Sequence, residues 1–134
     1  ELGVDTTAIV AGGRSMGGRV CSMAAAGSLA DPRAPKVAIG GLVLLSYPLH
    51  PPGKPDRLRV DHWPNITVPT LFVSGNNDPF GLPATFEEHL GELNAPVSTV
   101  WLNGGAHDPK RQDHRLAIVD AVESWIMPGA DRPD

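Results

Sequence analysis

The sequence predicts an α/β fold, a parallel sheet of about four strands with helices on both faces. Three observations lead there. Short β-rich runs alternate with segments of helical period along the 134 residues, the order a parallel sheet needs because each strand returns through a crossover. The first run is short, apolar at its end and closed by glycine, and Leu42-Val43-Leu44-Leu45 in the second is continuously apolar, so both read as buried parallel strands. Three of the four runs close on glycine, asparagine or aspartate, the residues that end a strand in a turn.

Each element can be placed in turn. Residues 6–11 are a short β-rich run closed by Gly12 and Gly13, read as the first strand. From Met16 to about Leu29 the chain is rich in alanine, with Val20, Met23 and Ala24 at helical spacing, and Asp31-Pro32 is expected to stop that helix. Residues 41–47 form the second strand. A proline-rich stretch over 48–55 and a charged segment to Trp63-Pro64 read as one long ordered loop, which Trp63 packs down.

Pro69 introduces a third strand over 70–74, closed by Gly75-Asn76-Asn77-Asp78. Pro83 suits the first turn of a helix that carries Phe86, Leu90 and Leu93 on one face. Residues 97–102 are the fourth strand. The last helix is expected from about Lys110 to Ile126, burying Leu116, Val119, Val122 and Ile126, with Trp101 and Trp125 in the core. Residues 131–134 read as a frayed tail. No internal repeat or linker divides residues 1–134.

Composition narrows the function classes. Hydrophobic residues make up 41% and charged residues 19%, an ordinary globular balance. The 15 glycines and 14 prolines imply many turns and argue against long helical bundles. A net charge of -4 without a lysine or arginine run makes nucleic acid and anionic membrane poor partners. Cys21 is the only cysteine, so no internal disulfide can form and a cytoplasmic setting is the default. No apolar stretch reaches membrane-spanning length. The opening Glu1-Leu2-Gly3-Val4-Asp5 resembles the tail of a helix and a loop, so an upstream part of the domain is expected.

Chemistry concentrates at three strand ends. Gly13-Arg14-Ser15-Met16-Gly17 is a Gly-x-Ser-x-Gly nucleophile elbow, with Ser15 on a tight strand-to-helix bend between the small residues Gly13 and Gly17. The motif alone is weak, since roughly one chain in twelve of this length and glycine content holds it by chance. Its context carries the weight: a strand precedes it and a helix follows. Asp78 follows the third strand and His107 the fourth. In a parallel sheet the loops after strand ends share one edge, so the three can meet. A serine hydroxyl needs a base to take its proton, the role of His107, and the base needs an acid to fix its tautomer, the role of Asp78. The backbone N–H of Met16 is the natural first oxyanion donor.

Other residues compete. Asp78 could instead cap its own turn. Asp56 and Asp61 are rival acids in the loop after the second strand, and Asp108 is expected to cap the last helix. His50, His62, His89 and His114 show no metal-ligand spacing and read as surface or helix-face histidines, His50 being the one whose loop should lie near the site. Cys21 reads as a small packing residue. The glycines of residues 12–18 lack the Gly-Lys-Ser/Thr of a phosphate loop. No cofactor or metal is called for.

Several segments resemble a known group. Gly13 to Arg19, Ser46-Tyr47-Pro48-Leu49-His50-Pro51-Pro52-Gly53-Lys54-Pro55, Leu58-Arg59, Val73-Ser74-Gly75, Asp78-Pro79-Phe80-Gly81 and Gly105-Ala106-His107 are similar to the α/β-hydrolase-like domain of the testis-expressed and NSL-complex-subunit type. Bacterial members of that group resemble dienelactone hydrolases. The resemblance implies the C-terminal half of an eight-stranded α/β-hydrolase fold, with Ser15 as nucleophile, Asp78 as acid and His107 as base. It implies that the early strands, and the loop giving the second oxyanion N–H, have no counterpart in this chain.

The function expected is a serine hydrolase that cleaves an ester, thioester or related acyl bond of a small-molecule substrate through an acyl-enzyme. The alternative is a non-catalytic interaction domain, since the resembling group includes scaffold members. With the front half absent, the first strand would lie at an open apolar edge, which invites self-association.

Overall fold

The computed structural model describes residues 3, 5–29, 31 and 33–127. Four parallel strands form one sheet in the order β1-β2-β3-β4: β1 Val10–Arg14, β2 Gly41–Leu45, β3 Thr70–Gly75 and β4 Val97–Leu102. Three helices connect or follow them: α1 Met16–Ala26, α2 Pro83–His89 and α3 Gln112–Ile126. The predicted architecture is the one observed, with helices on both faces. α1, α2 and the long loop bury Ala25, Ala26, Trp63 and Phe86 against one face of the sheet. α3 covers the other, where Ala121 meets Val43, Leu71, Val73 and Leu102.

The central strands follow directly from their sequence. β3 is buried at every position and β2 at all but Leu45, as uniformly apolar strands between two layers must be. On the α1 side an aromatic cluster fills the core. Trp63 packs on Tyr47, Phe72 and Phe86 at centroid distances of 5.5, 5.3 and 6.4 Å. Trp63 and Tyr47 are fully buried, so the long loop is anchored by its own tryptophan. Truncating such a ring to alanine costs about 3–5 kcal/mol.

The first strand begins later than its composition suggests. Residues 6–8 form a 3-10 turn, because the Asp5 carboxylate accepts from both the N–H and the hydroxyl of Thr7 at 3.0 and 2.7 Å. The strand then runs through Gly12 and Gly13 rather than ending there. α1 stops earlier than expected: Gly27 takes the left-handed conformation (φ 71°) and its N–H caps the helix, a glycine end rather than an Asp-Pro stop. Pro32 and the tail over 131–134 lie outside the described residues.

α3 buries a different face from the one expected. Leu116, Val119 and Ile126 are more than half exposed. Ala117, Ile118, Val122 and Trp125 face the core with Ala121. The reason is the tight gap over the sheet: Trp125 closes on Gly41, where a Cβ would come within 2.8 Å of its ring. β1 is an edge strand, paired only with β2 among the described residues, so its residues are exposed or half-buried rather than buried as expected. No helix among those residues is long and apolar enough to cross a membrane.

Candidate active site

All four strands run the same way, so their C-terminal ends share one edge. Ser15 follows β1 directly. It is the N-cap residue of α1, yet its side chain makes no capping hydrogen bond. A serine in that position normally turns its hydroxyl onto the first helical N–H groups. Here φ 53° and ψ -123° hold Ser15 in a conformation that non-glycine residues avoid. The hydroxyl points instead to His107, with Oγ 2.8 Å from Nε2.

The strained bend needs room, and the room comes from two glycines. A Cβ on Gly13 would lie 2.6 Å from the Gly17 carbonyl carbon and 2.7 Å from the Gly18 nitrogen. A Cβ on Gly18 would lie 2.7 Å from the Gly13 oxygen. Gly17 is a correction to the expected pattern: a Cβ there meets nothing within 4 Å outside its own helix. Gly18 faces β1 across the bend, whereas Gly17 points outward and is exposed.

His107 is reached through a second close approach. The loop after β4 crosses the end of β3 so tightly that a Cβ on Gly75 would overlap the Gly105 carbonyl. Asn77 N–H donates to Gly105 O at 2.9 Å, and Gly104 N–H to the Asn76 side-chain oxygen at 2.8 Å. The latch brings His107 Nδ1 within 2.8 Å of Asp78 Oδ2. Asp78 is 1% exposed and also accepts Phe80 N–H on Oδ1 at 2.8 Å. A buried carboxylate so held is fixed in orientation. His107 Nδ1 carries the proton in this arrangement, which leaves Nε2 as the acceptor facing Ser15. The chain Ser15–His107–Asp78 is therefore continuous.

The elbow residue Met16 opens α1, so its backbone N–H has no intrahelical partner and lies beside Ser15 at the positive end of the helix. Neither Asp56 nor Asp61, both exposed, bonds to His107. Asp108 does not cap α3, whose N-cap is Arg111. It pairs with Arg14 at 3.1 Å and so bridges the elbow to the His107 loop. His50 is buried, and its N–H donates to Phe80 O at 3.3 Å, which places the proline-rich loop beside the site. His62 and His114 are also buried rather than on the surface. Cys21 packs, donating weakly to Gly12 O at 3.5 Å. Among the described residues no three His, Cys, Asp or Glu gather as a metal site would require.

Two neighbours of the triad have positions that the sequence does not predict. Phe80 stacks on the imidazole of His107, with centroids 4.1 Å apart and planes 28° from parallel. Ser46, just beyond the β2 residue paired with Arg14, is buried with φ 50°. The Asp78-Pro79-Phe80 turn was visible, but nothing in the sequence tied its aromatic ring to a histidine in a different loop.

A family model described as an alpha/beta hydrolase domain matches residues 2–121. Among solved structures, the dienelactone hydrolase from Anabaena variabilis is 24% identical with a TM-score of 0.65, over 88% of this chain and 48% of that one. An esterase domain from a Rhodothermus marinus protein is 13% identical with a TM-score of 0.63, over 87% of this chain and 59% of its own. An alpha-beta serine hydrolase homologue from Coxiella burnetii is 16% identical with a TM-score of 0.62, over 87% and 48%. At these identities the likeness is one of fold. This chain spans roughly half to three-fifths of the length of those proteins.

Proposed function

The chain belongs to the alpha/beta hydrolase domain family, and from that premise we propose that it is a serine hydrolase acting on an ester, thioester or related acyl bond. One observation carries the reading: Ser15 forgoes helix capping for a 2.8 Å contact with His107, which is held at 2.8 Å by Asp78.

The chemistry follows from that geometry. His107 Nε2 takes the Ser15 proton as Oγ attacks the substrate carbonyl carbon. The carbonyl oxygen becomes an oxyanion, which the Met16 N–H stabilises at the helix start. Buried Asp78 stabilises the imidazolium through its contact with Nδ1. The tetrahedral adduct collapses as His107 returns its proton to the leaving alcohol or thiol, leaving an acyl-enzyme at Ser15. Water, deprotonated by His107, then attacks the acyl carbon, and the adduct collapses as His107 returns the proton to Ser15 Oγ and the acid leaves. The second oxyanion N–H of this fold comes from a loop preceding the nucleophile strand, so full activity is assigned to a protein that supplies it.

The test is labelling of the full-length protein by a fluorophosphonate probe, with the modified residue located by peptide mapping. Ser15 should be labelled, and Asp78→Asn should slow labelling by about 10³–10⁴-fold through the wrong imidazole tautomer. Folded protein that takes up no label at Ser15 removes the enzymatic reading and leaves a non-catalytic interaction domain.

A further inference from the structure

A second polar centre lies on α1, away from the Ser15 site. Ser22 is fully buried, and its hydroxyl donates to Arg19 O at 2.7 Å. That leaves a lone pair for His62, whose Nε2 stands 2.7 Å away and is therefore the protonated ring nitrogen. Tyr47 donates its hydroxyl to Arg59 O at 2.8 Å and accepts the Trp63 indole N–H at 3.3 Å. These bonds fix the loop segment at Arg59 to Trp63 against α1, with His62 neutral.

Two cations face this network without a carboxylate partner. Neither Arg19 nor Arg59 forms an ion pair among the described residues. Among the described residues the buried Arg19 Nε has no hydrogen-bond partner, although nearly all buried polar groups find one. Both arginines line a cavity of about 280 Å³ with Met23, Ser28, Leu58 and His62, and Asp61 on its exposed side. The cavity shares no residue with Ser15, Asp78 or His107.

We propose that this cavity binds the phosphate group of a small organic phosphate, gripped between the Arg19 and Arg59 guanidinium groups. Arginine is the side chain suited to that task, because its planar fork donates in pairs to phosphate oxygens. Phosphate is favoured over a carboxylate by charge and by acceptor count. Two unpaired cations and the Ser28 hydroxyl, which has no hydrogen bond of its own among the described residues, match a group near -2 with three terminal oxygens. A carboxylate offers one charge and two oxygens. Met23 and Leu58 give an apolar wall for the organic part. The local field is positive: after burial, Arg19 is the next cause that depresses the His62 imidazole, and Arg19 and Arg59 both favour the Tyr47 phenolate against its burial. Asp61 opposes the anion, so it sets a limit on affinity.

Phosphate binding in this cavity does not depend on catalysis. Inorganic phosphate replaces chloride at constant ionic strength in samples of the full chain, with the Trp63 indole N–H followed by NMR. The wild type and Ser15→Ala should give the same saturable shift. Arg59→Gln and Arg19→Gln should each weaken the response at least about tenfold, while Arg57→Gln, an exposed residue outside the cavity, should leave it unchanged. Unaltered spectra elsewhere establish that the variants fold, since each arginine joins the network only through its backbone carbonyl. A non-saturating response in the wild type, or full binding in Arg59→Gln, overturns the site. Tighter binding of malonate than of phosphate overturns the choice of phosphate.

Discussion

The ring of Phe80 stacks on the imidazole of His107 at 4.1 Å while its backbone N–H donates to Asp78, the residue that holds the same imidazole. One residue thus constrains both partners of the base. The carboxylate is fixed through the backbone, which a side-chain substitution leaves in place. The imidazole is fixed on one face by the ring alone. Phe80→Ala should therefore keep the Asp78 contact but free His107 to rotate. Fluorophosphonate labelling of Ser15 should slow by about tenfold, since small losses of orientation are costly in rate, with Tm changed little. Phe80→Tyr should restore most of the rate. An unchanged rate in Phe80→Ala would show that the stack is incidental.

The strands were legible because apolar runs with turn residues at their ends have few other uses. So were the three strand-end residues that now form one hydrogen-bonded chain. What escaped was set by packing across the fold. The buried face of α3 could not be read from Leu116, Val119 and Ile126, because the close approach of Trp125 to Gly41 that seats the helix joins distant segments. Asp108 looked like a helix cap, and only the folded chain brings Arg14 to it. His62 looked like a surface residue, and its burial depends on Ser22 and Tyr47.

The elbow glycines offer a sharper contrast. Gly13 and Gly18 face each other across the bend, and a methyl on either would meet backbone below 3 Å. Backbone cannot swing aside as a side chain can, so Gly13→Ala should distort the bend and destabilise by more than 1 kcal/mol, on the order of overpacking losses. Gly17 sits in the first turn of α1 with open space around its would-be Cβ. Gly17→Ala should be neutral or stabilise by up to about 1 kcal/mol, the helix preference of alanine over glycine. Urea denaturation of the two variants decides it, and destabilisation by Gly17→Ala would overturn the assignment of the tight contact to Gly18.

The outer side of β1 has no strand beside it among the described residues, and Ile9 and Val10 are each 40% exposed there. Unpaired backbone next to apolar side chains is a template for another strand. The isolated 134-residue chain should sediment as a concentration-dependent oligomer. Val10→Lys, which places a charge on that edge, should shift it toward monomer. A monodisperse wild-type monomer at high concentration contradicts this.

His62 should make folding sensitive to acid. Burial, with Arg19 beside it, lowers its imidazole from 6.5 to about 4 in the folded chain. In the unfolded chain it titrates at the ordinary value. Between these limits the unfolded chain binds a proton that the folded chain refuses, so acid favours unfolding. Stability from this source is therefore full above about pH 6.5, declines as pH falls toward 4, and is level below that. The shift corresponds to at most about 3 kcal/mol. His62→Gln keeps a side-chain donor for Ser22 but cannot titrate. Its denaturation midpoint should vary less between pH 7 and 4 than that of the wild type, and equal slopes in the two proteins would assign the acid sensitivity to other groups.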